Sequence, residues 1–164
     1  MRSLKAIKVS GKNSLNHWTH FRNPARVVYN FVVVSLSRYA PSLALKRFLL
    51  RMTGMKVGKD AAVGLMAMFD VFYPELIELG ENCIIGYNAT ILAHEFLKDE
   101  LRTGKTIIGK DAMVGANATV LAGVEIGDGA VVSAASLVDA DVPAGSFAKG
   151  NPMQLLKRAE YFNK

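Results

Sequence analysis

The chain is poor in cysteine and histidine, and this scarcity excludes several kinds of chemistry. The single cysteine, Cys83, cannot form a disulfide within the chain and provides no spacing of metal ligands. Because its neighbours are apolar, we expect a reduced thiol in the core. Two of the three histidines, His17 and His20, flank Trp18 in an irregular N-terminal stretch, where we expect them to be structural or exposed. The third, His94, is the remaining candidate for acid–base chemistry.

Long hydrophobic runs are also missing. The most apolar stretch, Val27 to Leu36, is about half as long as a bilayer-spanning helix. Residues 1–23 are polar and charged, so no signal peptide is expected and a cytoplasmic location is predicted. A chain of 164 residues is long enough for one domain with a core and too short for two of ordinary size.

Acidic residues are outnumbered, since 20 basic side chains against 14 acidic ones leave a net charge of +6. Such a balance suits nucleic acid, an anionic membrane surface or a phosphorylated cofactor. No Arg/Lys run or basic-aromatic stripe indicates nucleic acid, so no nucleic-acid partner is predicted and the cofactor is favoured. Part of the basic excess lies in the N-terminal segment.

The central segment repeats with a period of six residues. An aliphatic residue opens each hexad, and a small or acidic residue often follows it. The clearest run consists of Ile108, Val114, Val120, Ile126, Val132 and Val138, with shorter runs at Val57 and Val63 and at Leu79, Ile85 and Ile91.

A period of six fits neither an α-helix nor plain strand alternation. It fits a triangular coil whose three flat sides are short strands and whose corners are turns, with coils stacked at strand spacing. The frequent glycines exclude an amphipathic helix. The fold class is therefore predicted to be mainly β: a single-stranded left-handed parallel β-helix, with an N-terminal helical segment and a short C-terminal helix or tail.

Three segments follow from this pattern. Residues 1–54 form the helical segment that packs on the β-helix, residues 55–150 form the β-helix, and residues 151–164 form the C-terminal tail, where Leu155 to Tyr161 suggest a short helix. The register breaks around Pro74 and again at about 93–106, where a charged excursion loop begins at His94. Excursions from a repetitive scaffold often carry function.

Two helices are expected in the first segment. The first begins at Pro24 with Asn23 as its cap, and Ser42 caps the second, which Gly54 ends. Both are interpreted as packing their apolar residues on the core, and membrane-surface contact is the less favoured alternative. The residues assigned to these core faces are Val27, Val28, Phe31, Val34, Leu36 and Tyr39 in the first helix, and Leu43, Leu45, Phe48, Leu49 and Met52 in the second.

The hexads, the loop histidine and the ending Lys149-Gly-Asn-Pro-Met-Gln-Leu-Leu-Lys157 together resemble the maltose/galactoside O-acetyltransferase branch of the hexapeptide-repeat acyltransferases. The resemblance covers residues 57–157. It implies a homotrimer with each active site between neighbouring β-helices, acetyl-CoA as acyl donor without a required metal, and a small-molecule acceptor. In this family the histidine matching His94 removes the acceptor proton. An imidazole titrates in the range needed for that step.

The same resemblance implies a coenzyme site along the last coils. By matching position, Ala116 and Ala134 would line the pantetheine arm, with Gly115 and Ala135 beside them, Asn151 in the Gly-Asn-Pro ending, and Lys157 near the phosphates. Two charges expected near the phosphates are replaced, by Asp139-Ala140 and by Gln154, and Lys149 and Arg158 are hypothesised to compensate.

The acceptor side departs further from the family. Asp70, the one carboxylate in the apolar stretch from Gly64, is predicted to bind or orient the acceptor, although a capping role is also open. Asn88, one hexad before His94, is predicted to face the same corner as the histidine. Both O- and N-acetylation remain possible. Two alternatives stay open: a non-enzymatic β-helix scaffold, and a zinc enzyme like the γ-class carbonic anhydrases, for which the repeats contain only His94.

Overall fold

The structure, a computed structural model, describes residues 2–157. Most of its strands are two to four residues long and follow one another around the sides of a prism. In chain order the elements are β1 (Lys5–Lys8), a 3-10 helix (Ser14–His17), α1 (Trp18–Phe21), α2 (Pro24–Tyr39), α3 (Leu43–Met52), β2 (Lys56–Val57), β3 (Ala62–Val63), β4 (Met68–Phe69), a second 3-10 helix (Pro74–Leu76), β5 (Ile77–Leu79), β6 (Ile84–Ile85), β7 (Thr90–Ile91), β8 (His94–Phe96), β9 (Glu100–Thr103), β10 (Thr106–Ile108), β11 (Met113–Val114), β12 (Thr119–Val120), β13 (Glu125–Ile126), β14 (Val131–Val132), β15 (Leu137–Val138), β16 (Ser146–Lys149) and β17 (Gln154–Lys157).

Parallel pairing between every third strand builds the coils. The first coil consists of β2, β3 and β4, and the second of β5, β6 and β7. After an insertion, β10 to β12 form the third coil, β13 to β15 the fourth, and β16 belongs to a fifth. Leu79 stacks between Val57 and Ile108 in register, and all three side chains are buried. The six-residue period therefore places each leading aliphatic residue in the core, as predicted.

Coil stacking leaves no room for side chains at some corners. A Cβ added to Gly80 would lie 2.6 Å from the backbone of Gly109 in the next coil. We expect Gly80→Ala to lower the free energy of unfolding by about 1–3 kcal/mol or more, because two backbones would have to separate. Denaturant unfolding measures this. Gly129→Ala is the control, because nothing lies within 4 Å of its Cβ position and only the cost of its φ of +64° applies; equal losses in both variants would contradict the expectation.

The open edge of the first coil is covered by α2 and α3, which we call the helical cap. Amide groups of each coil donate to carbonyls of the next, as Gly58 N does to Leu79 O, so carbonyls of the first coil lack a strand partner on the outer side. Basic side chains of the cap supply donors instead. The bonds are Arg51 Nη2 to Val57 O at 2.7 Å, Arg47 Nη1 to Ala61 O at 3.2 Å, Lys46 Nζ to Gly64 O at 3.0 Å and Arg38 Nε to Met66 O at 3.3 Å.

The predicted helix starts are confirmed. Asn23 caps α2 by accepting a hydrogen bond from Ala25 N, and Ser42 caps α3 by accepting one from Leu45 N. The predicted core-facing sides are largely wrong. Val27 and Val34 are buried, but Val28, Phe31, Leu36 and Tyr39 of α2, and Leu43, Leu45, Phe48 and Met52 of α3, are exposed. The reason is that the first coil presents unpaired backbone carbonyls to the helices. The polar and basic sides of α2 and α3 bind these carbonyls, so the apolar sides face outward.

The described part of the C-terminal segment is a strand, whereas a short helix or tail was predicted. Residues Gln154–Lys157 form β17, which pairs antiparallel with β16 and extends the sheet of the fifth coil. Main-chain carbonyl and amide groups of an edge strand are a ready partner for such a segment. The predicted contributions of Arg158 and Tyr161 lie outside the described residues.

The excursion after the second coil is an ordered hairpin and not an irregular loop. Strands β8 and β9 pair antiparallel, and β1 from the N-terminus adds to β9 as a third strand. Arg2 also forms an ion pair with Glu95 of the hairpin. Cys83 is a buried free thiol, and burial raises its pKa to about 11. Within residues 2–157, no helix has the length and apolar character needed to cross a bilayer.

Candidate active site

The imidazole of His94 lies at the corner where the second coil gives way to the hairpin. Phe69 at the end of β4 and Ile91 at the end of β7 are paired neighbours in adjacent coils. Asp70 directly follows the first of them, and His94 comes three residues after the second. The stacked corner thus brings together two side chains that are 24 residues apart in the sequence.

The Asp70 carboxylate is fully enclosed by hydrogen-bond donors. Oδ1 accepts from the amides of Phe72 at 2.8 Å and Tyr73 at 2.9 Å. Oδ2 accepts from the amide of Ala93 at 2.8 Å and lies 2.5 Å from Nδ1 of His94. Its side chain has 0% exposed surface, against 14% for that of His94. The carboxylate holds the histidine ring and its own corner in one geometry.

Electrostatics favour the ionised carboxylate. Burial by itself raises the pKa of Asp70, but the hydrogen bond and charge of His94 and the amides of Tyr73 and Ala93 outweigh it, so the pKa lies below its usual value. An ionised acceptor at Nδ1 favours the tautomer that carries its proton there. Nε2, which has no hydrogen-bond partner among residues 2–157, is then the basic nitrogen.

Aromatic rings surround the imidazole. The centroids of Phe72 and Phe96 each lie 4.8 Å from that of His94, and Tyr73 lies at 5.9 Å. Trp18 of α1 packs edge-on against Phe72 at 5.7 Å. Burial raises the pKa of the Tyr73 hydroxyl; the stacked Arg22 opposes this, and Asp70 and Glu75 add to it, so the hydroxyl stays neutral. The rings restrict water around the base.

The prediction that Asp70 binds or orients the acceptor stays a prediction, and the alternative capping role is seen in its bonds to the amides of Phe72 and Tyr73. The carboxylate has no exposed surface, and its oxygens accept four hydrogen bonds from within the chain. Its partner is His94, which sequence reasoning had treated as acting alone. Counting hexads would not have indicated this pairing, because the register break around Pro74 places Phe69 and Ile91 at a spacing that is not a multiple of six.

A second corner gathers the residues predicted to bind the coenzyme. Gly115 and Ala116 follow β11, and Ala134 and Ala135 follow β14 one coil further along. Ala135 N donates to Ala116 O at 2.8 Å, and Gly115 approaches Ala134 so closely that a Cβ would lie 2.4 Å from its amide nitrogen. These small residues form one continuous strip of backbone.

The predicted basic residues near this strip are separated. Lys149 ends β16, one coil above Ala134, and is followed by Gly150 and Asn151 at the same corner. Lys157 instead pairs with Ser146 at the far end of β16. Three residues of strand, about 10 Å, separate the two lysines along the ladder. Of these two lysines, Lys149 therefore lies nearer to the strip of small residues.

Comparisons with known proteins agree with this architecture. Residues 105–140 match the family model described as a hexapeptide repeat of succinyl-transferase. Over 161 residues the chain is 50% identical to a Bacillus subtilis (strain 168) protein named "Putative acetyltransferase YvoF", covering 98% of this chain and 94% of that protein. The chain belongs to the hexapeptide-repeat acetyltransferases. The predicted family is thereby confirmed.

Two solved acetyltransferase structures share its fold. A Vibrio cholerae acetyltransferase described in complex with acetyl coenzyme A aligns with a TM-score of 0.63 and 20% identity, covering 80% of this chain and 86% of that one. A maltose O-acetyltransferase from Clostridium difficile 630 aligns with 0.61 and 22%, covering 81% and 86%. The left-handed β-helix predicted for this acetyltransferase is confirmed by these likenesses.

Asn88 of this acetyltransferase does not share the corner of His94. It lies in the turn between β6 and β7, has a φ of +53°, and donates to Asn117 Oδ1 at 2.9 Å. Six residues advance the chain by one side of the triangle, so Asn88 and His94 occupy successive corners. Its role toward an acceptor stays a prediction.

Other site features of this hexapeptide-repeat acetyltransferase were missed in the sequence. Phe72 and Phe96 were not singled out, because aromatic residues near a register break have no periodicity that marks them. A cleft of about 450 Å³ lies between Phe72 and the N-terminal residues Asn13, Leu15, Asn16 and Trp18. Across residues 2–157, no group of three or more His, Cys, Asp or Glu side chains is arranged to hold a metal.

Proposed function

We propose that this protein is an acetyl-CoA-dependent O-acetyltransferase in which His94 is the general base and Asp70 positions it. The Asp70–His94 pair is the observation that carries the proposal. A buried carboxylate at Nδ1 leaves Nε2 free to accept a proton, and the same carboxylate stabilises the imidazolium that forms. A hydroxyl is a poor nucleophile at neutral pH and needs such a base.

The reaction balances without an added oxidant or metal. Nε2 removes the proton from the acceptor hydroxyl while the oxygen attacks the thioester carbonyl of acetyl-CoA. A carbon–oxygen bond forms, the carbon–sulfur bond breaks, and the imidazolium returns the proton to the departing thiolate. The products are an acetyl ester and free coenzyme A. The rings of Phe72 and Phe96 reduce competing attack by water.

The coenzyme is proposed to lie along the strip of small residues at the second corner. Bare backbone at Gly115, Ala116, Ala134 and Ala135 suits the narrow pantetheine arm, which needs close approach and main-chain hydrogen bonds. Lys149 and Asn151 lie at the next coil of the same corner, in reach of the phosphate end. The Vibrio structure described with acetyl coenzyme A supports this donor.

One chain alone does not complete this site. His94 and the strip of small residues occupy different corners of the same prism, separated by one side of the triangle, on the order of 20 Å. A neighbouring copy can place its second corner against His94 of the first chain, and three such contacts close a ring. We therefore infer a homotrimer. The cytoplasmic location stays a prediction.

Coenzyme binding tests the proposed function against a non-enzymatic scaffold. We expect coenzyme A to raise the Tm of the purified protein, because a ligand that binds the native state stabilises it. We also expect acetyl-CoA with a panel of hydroxyl and amine acceptors to release thiol faster than acetyl-CoA alone. A protein that shows neither a Tm shift nor acceptor-dependent thiol release would refute the proposal. Preference for amines would replace O- with N-acetylation.

Lys149 provides a separate prediction about the donor. We expect Lys149→Ala to raise KM for acetyl-CoA by roughly three- to tenfold with little change in kcat, because a lost phosphate contact weakens ground-state and transition-state binding alike. Steady-state kinetics at varied acetyl-CoA measure this. Lys59→Ala is the matched control, since Lys59 is exposed on the first coil. An unchanged KM for Lys149→Ala would remove this residue from the coenzyme site.

A further inference from the structure

The helical cap exposes an almost wholly apolar outer surface. Large hydrophobic side chains on both helices are open to solvent, and Leu36 and Phe48 expose 58% and 61% of their surface. The others of this exposed set, which we call the cap face, are Val28, Tyr29, Phe31, Val32, Tyr39, Leu43, Leu45 and Met52. Contiguous exposed patches of this kind are uncommon on isolated domains and mark interaction surfaces.

The basic side chains of the cap all bond to the protein backbone, although Arg26 and Arg51 stay exposed. Each of the five basic residues between Pro24 and Met52 donates to a backbone carbonyl. Four of them bind the edge of the first coil, as described above, and Arg26 donates to Thr53 O at 2.9 Å. No acidic residue occurs in either helix. The usual arrangement of a surface helix, apolar inside and charged outside, is thus reversed.

The distribution of charge along the chain indicates what lies against this surface. Of the 20 basic residues, 12 precede Asp60, and none of the 14 acidic residues does. Residues 60–164 carry the other 8 basic and all 14 acidic residues, a net charge of −6. Seven of the 12 basic residues before Asp60, and no acidic residue, lie between Pro24 and Lys59, which form the cap and the start of the first coil, so the cap end of the molecule is positive and favours an anionic surface.

A second cap face is a less suitable occupant than a bilayer. Packing one cap face on another would bring two positively charged N-terminal segments together without an acidic partner in either cap. An anionic bilayer offers an apolar interior and negative headgroups in one surface. Tyrosine side chains such as Tyr29 and Tyr39 suit the level of the headgroups. With 16 residues, α2 is too short to cross a bilayer and fits one lying in the interface.

We propose that the cap face docks on an anionic membrane surface, with α2 and α3 lying in the interfacial layer and the β-helix extending away from it. The cap is joined to the candidate site, because Asn30 Nδ2 donates to Val71 O and Arg22 Nε to Phe72 O, next to Asp70. Docking thus holds the Asp70–His94 corner near the membrane. The inference rests on the cap alone and holds whether or not the proposed acetyl transfer does.

Vesicle flotation with the full chain tests this proposal. We expect the wild type to float with vesicles of phosphatidylcholine and phosphatidylglycerol in equal amounts, and to bind pure phosphatidylcholine vesicles more weakly. We expect L36S combined with F48S to lower the partition coefficient by about tenfold or more, since the charge is unchanged and apolar contact is lost. Raised salt should weaken binding, because it screens the electrostatic part.

The matched control is Tyr87→Ser. Tyr87 exposes 55% of its surface in a turn of the β-helix outside the cap, and its loss should leave vesicle binding unchanged. Circular dichroism and Tm establish that each variant folds. If L36S combined with F48S does not fold, vesicle binding is measured for Leu36→Glu combined with Phe48→Glu. The proposal is overturned if the wild type does not bind anionic vesicles. It is also overturned if the cap variant binds them as strongly as the wild type does. A cap variant that dissociates a larger assembly while the wild type stays off vesicles overturns it too, and would assign the face to a second copy.

Discussion

His94→Ala is expected to lower kcat for acetyl transfer by roughly 10²–10⁴, the usual contribution of a positioned general base. The KM for acetyl-CoA should change little, because the imidazole acts on the acceptor proton, whereas the strip of small residues and Lys149 are proposed to hold the coenzyme. The measurement is thiol release with an acceptor identified by the panel, at saturating acetyl-CoA. A loss confined to kcat would show that the imidazole acts on the reacting atoms and not on donor binding.

His20→Ala is the appropriate control for that variant. His20 is exposed on α1, and its ring lies 5.8 Å from that of His17, so it shares the residue type without contacting Asp70. We expect this variant to keep the wild-type rate. Equal rates for wild type and His94→Ala would end the catalytic assignment, and equal losses in both histidine variants would point to a general effect on folding.

Asp70→Asn is expected to lower kcat by an amount comparable to His94→Ala, although Asp70 touches no substrate. An amide cannot satisfy all four donors, because its NH₂ group would replace an oxygen that accepts from two N–H groups. If it faces His94, Nδ1 must become the acceptor, and the proton then resides on Nε2, where it prevents base catalysis. Asp70 is therefore a positioning residue.

Two readouts separate this role from simple structural support. Adding Asp70→Asn to His94→Ala should cost little further activity, since a residue that acts through His94 has nothing left to position. Asp128→Asn is the matched control, because Asp128 also accepts a backbone amide, that of Lys110 at 2.7 Å, but lies far along the chain from the site. Additive losses in the double variant would contradict the positioning role.

Stability should depend on pH through the same carboxylate. The pKa of Asp70 is lowered in the folded protein relative to about 3.9 for a free side chain. Its contribution is therefore complete above about pH 4 and is lost as pH falls through the lower folded value. Relative to wild type, Asp70→Asn should lose about 1–3 kcal/mol of unfolding free energy at neutral pH, and the difference should shrink below about pH 4. A constant difference between pH 7 and pH 3 would refute this.

Local patterns in the sequence predicted much of the fold. The aliphatic residues that open each hexad, such as Leu79 and Ile108, could be placed in the core. A period of six specifies a triangular coil without knowledge of distant residues. Asn23 and Ser42 could be assigned as caps because a cap bonds to amides two or three residues away. The His94 corner was identified as a candidate site by its place at the register break.

Contacts between distant residues were predicted poorly. Phe48 was assigned to the core by its helical spacing, yet it is exposed, because the first coil presents open carbonyls that take Lys46 and Arg47 instead. Asp70 was assigned to the acceptor because no sequence signal linked it to a histidine 24 residues later. Residues 154–157 were predicted to be a short helix or tail. Their pairing with β16 as strand β17 depends on a free strand edge, which the residues of this segment do not reveal.

The sequence by itself determined the β-helix, its repeat and the buried residue that opens each hexad, because inward-pointing aliphatic side chains recur at a spacing that only a three-sided coil can bury. The tertiary structure decided which corners meet, and so joined the buried carboxylate to the imidazole and turned the helices of the cap outward. Those outcomes depend on hydrogen-bond donors and acceptors left over at the ends and breaks of the coil. Which distant group satisfies each of them is settled only when the chain has folded.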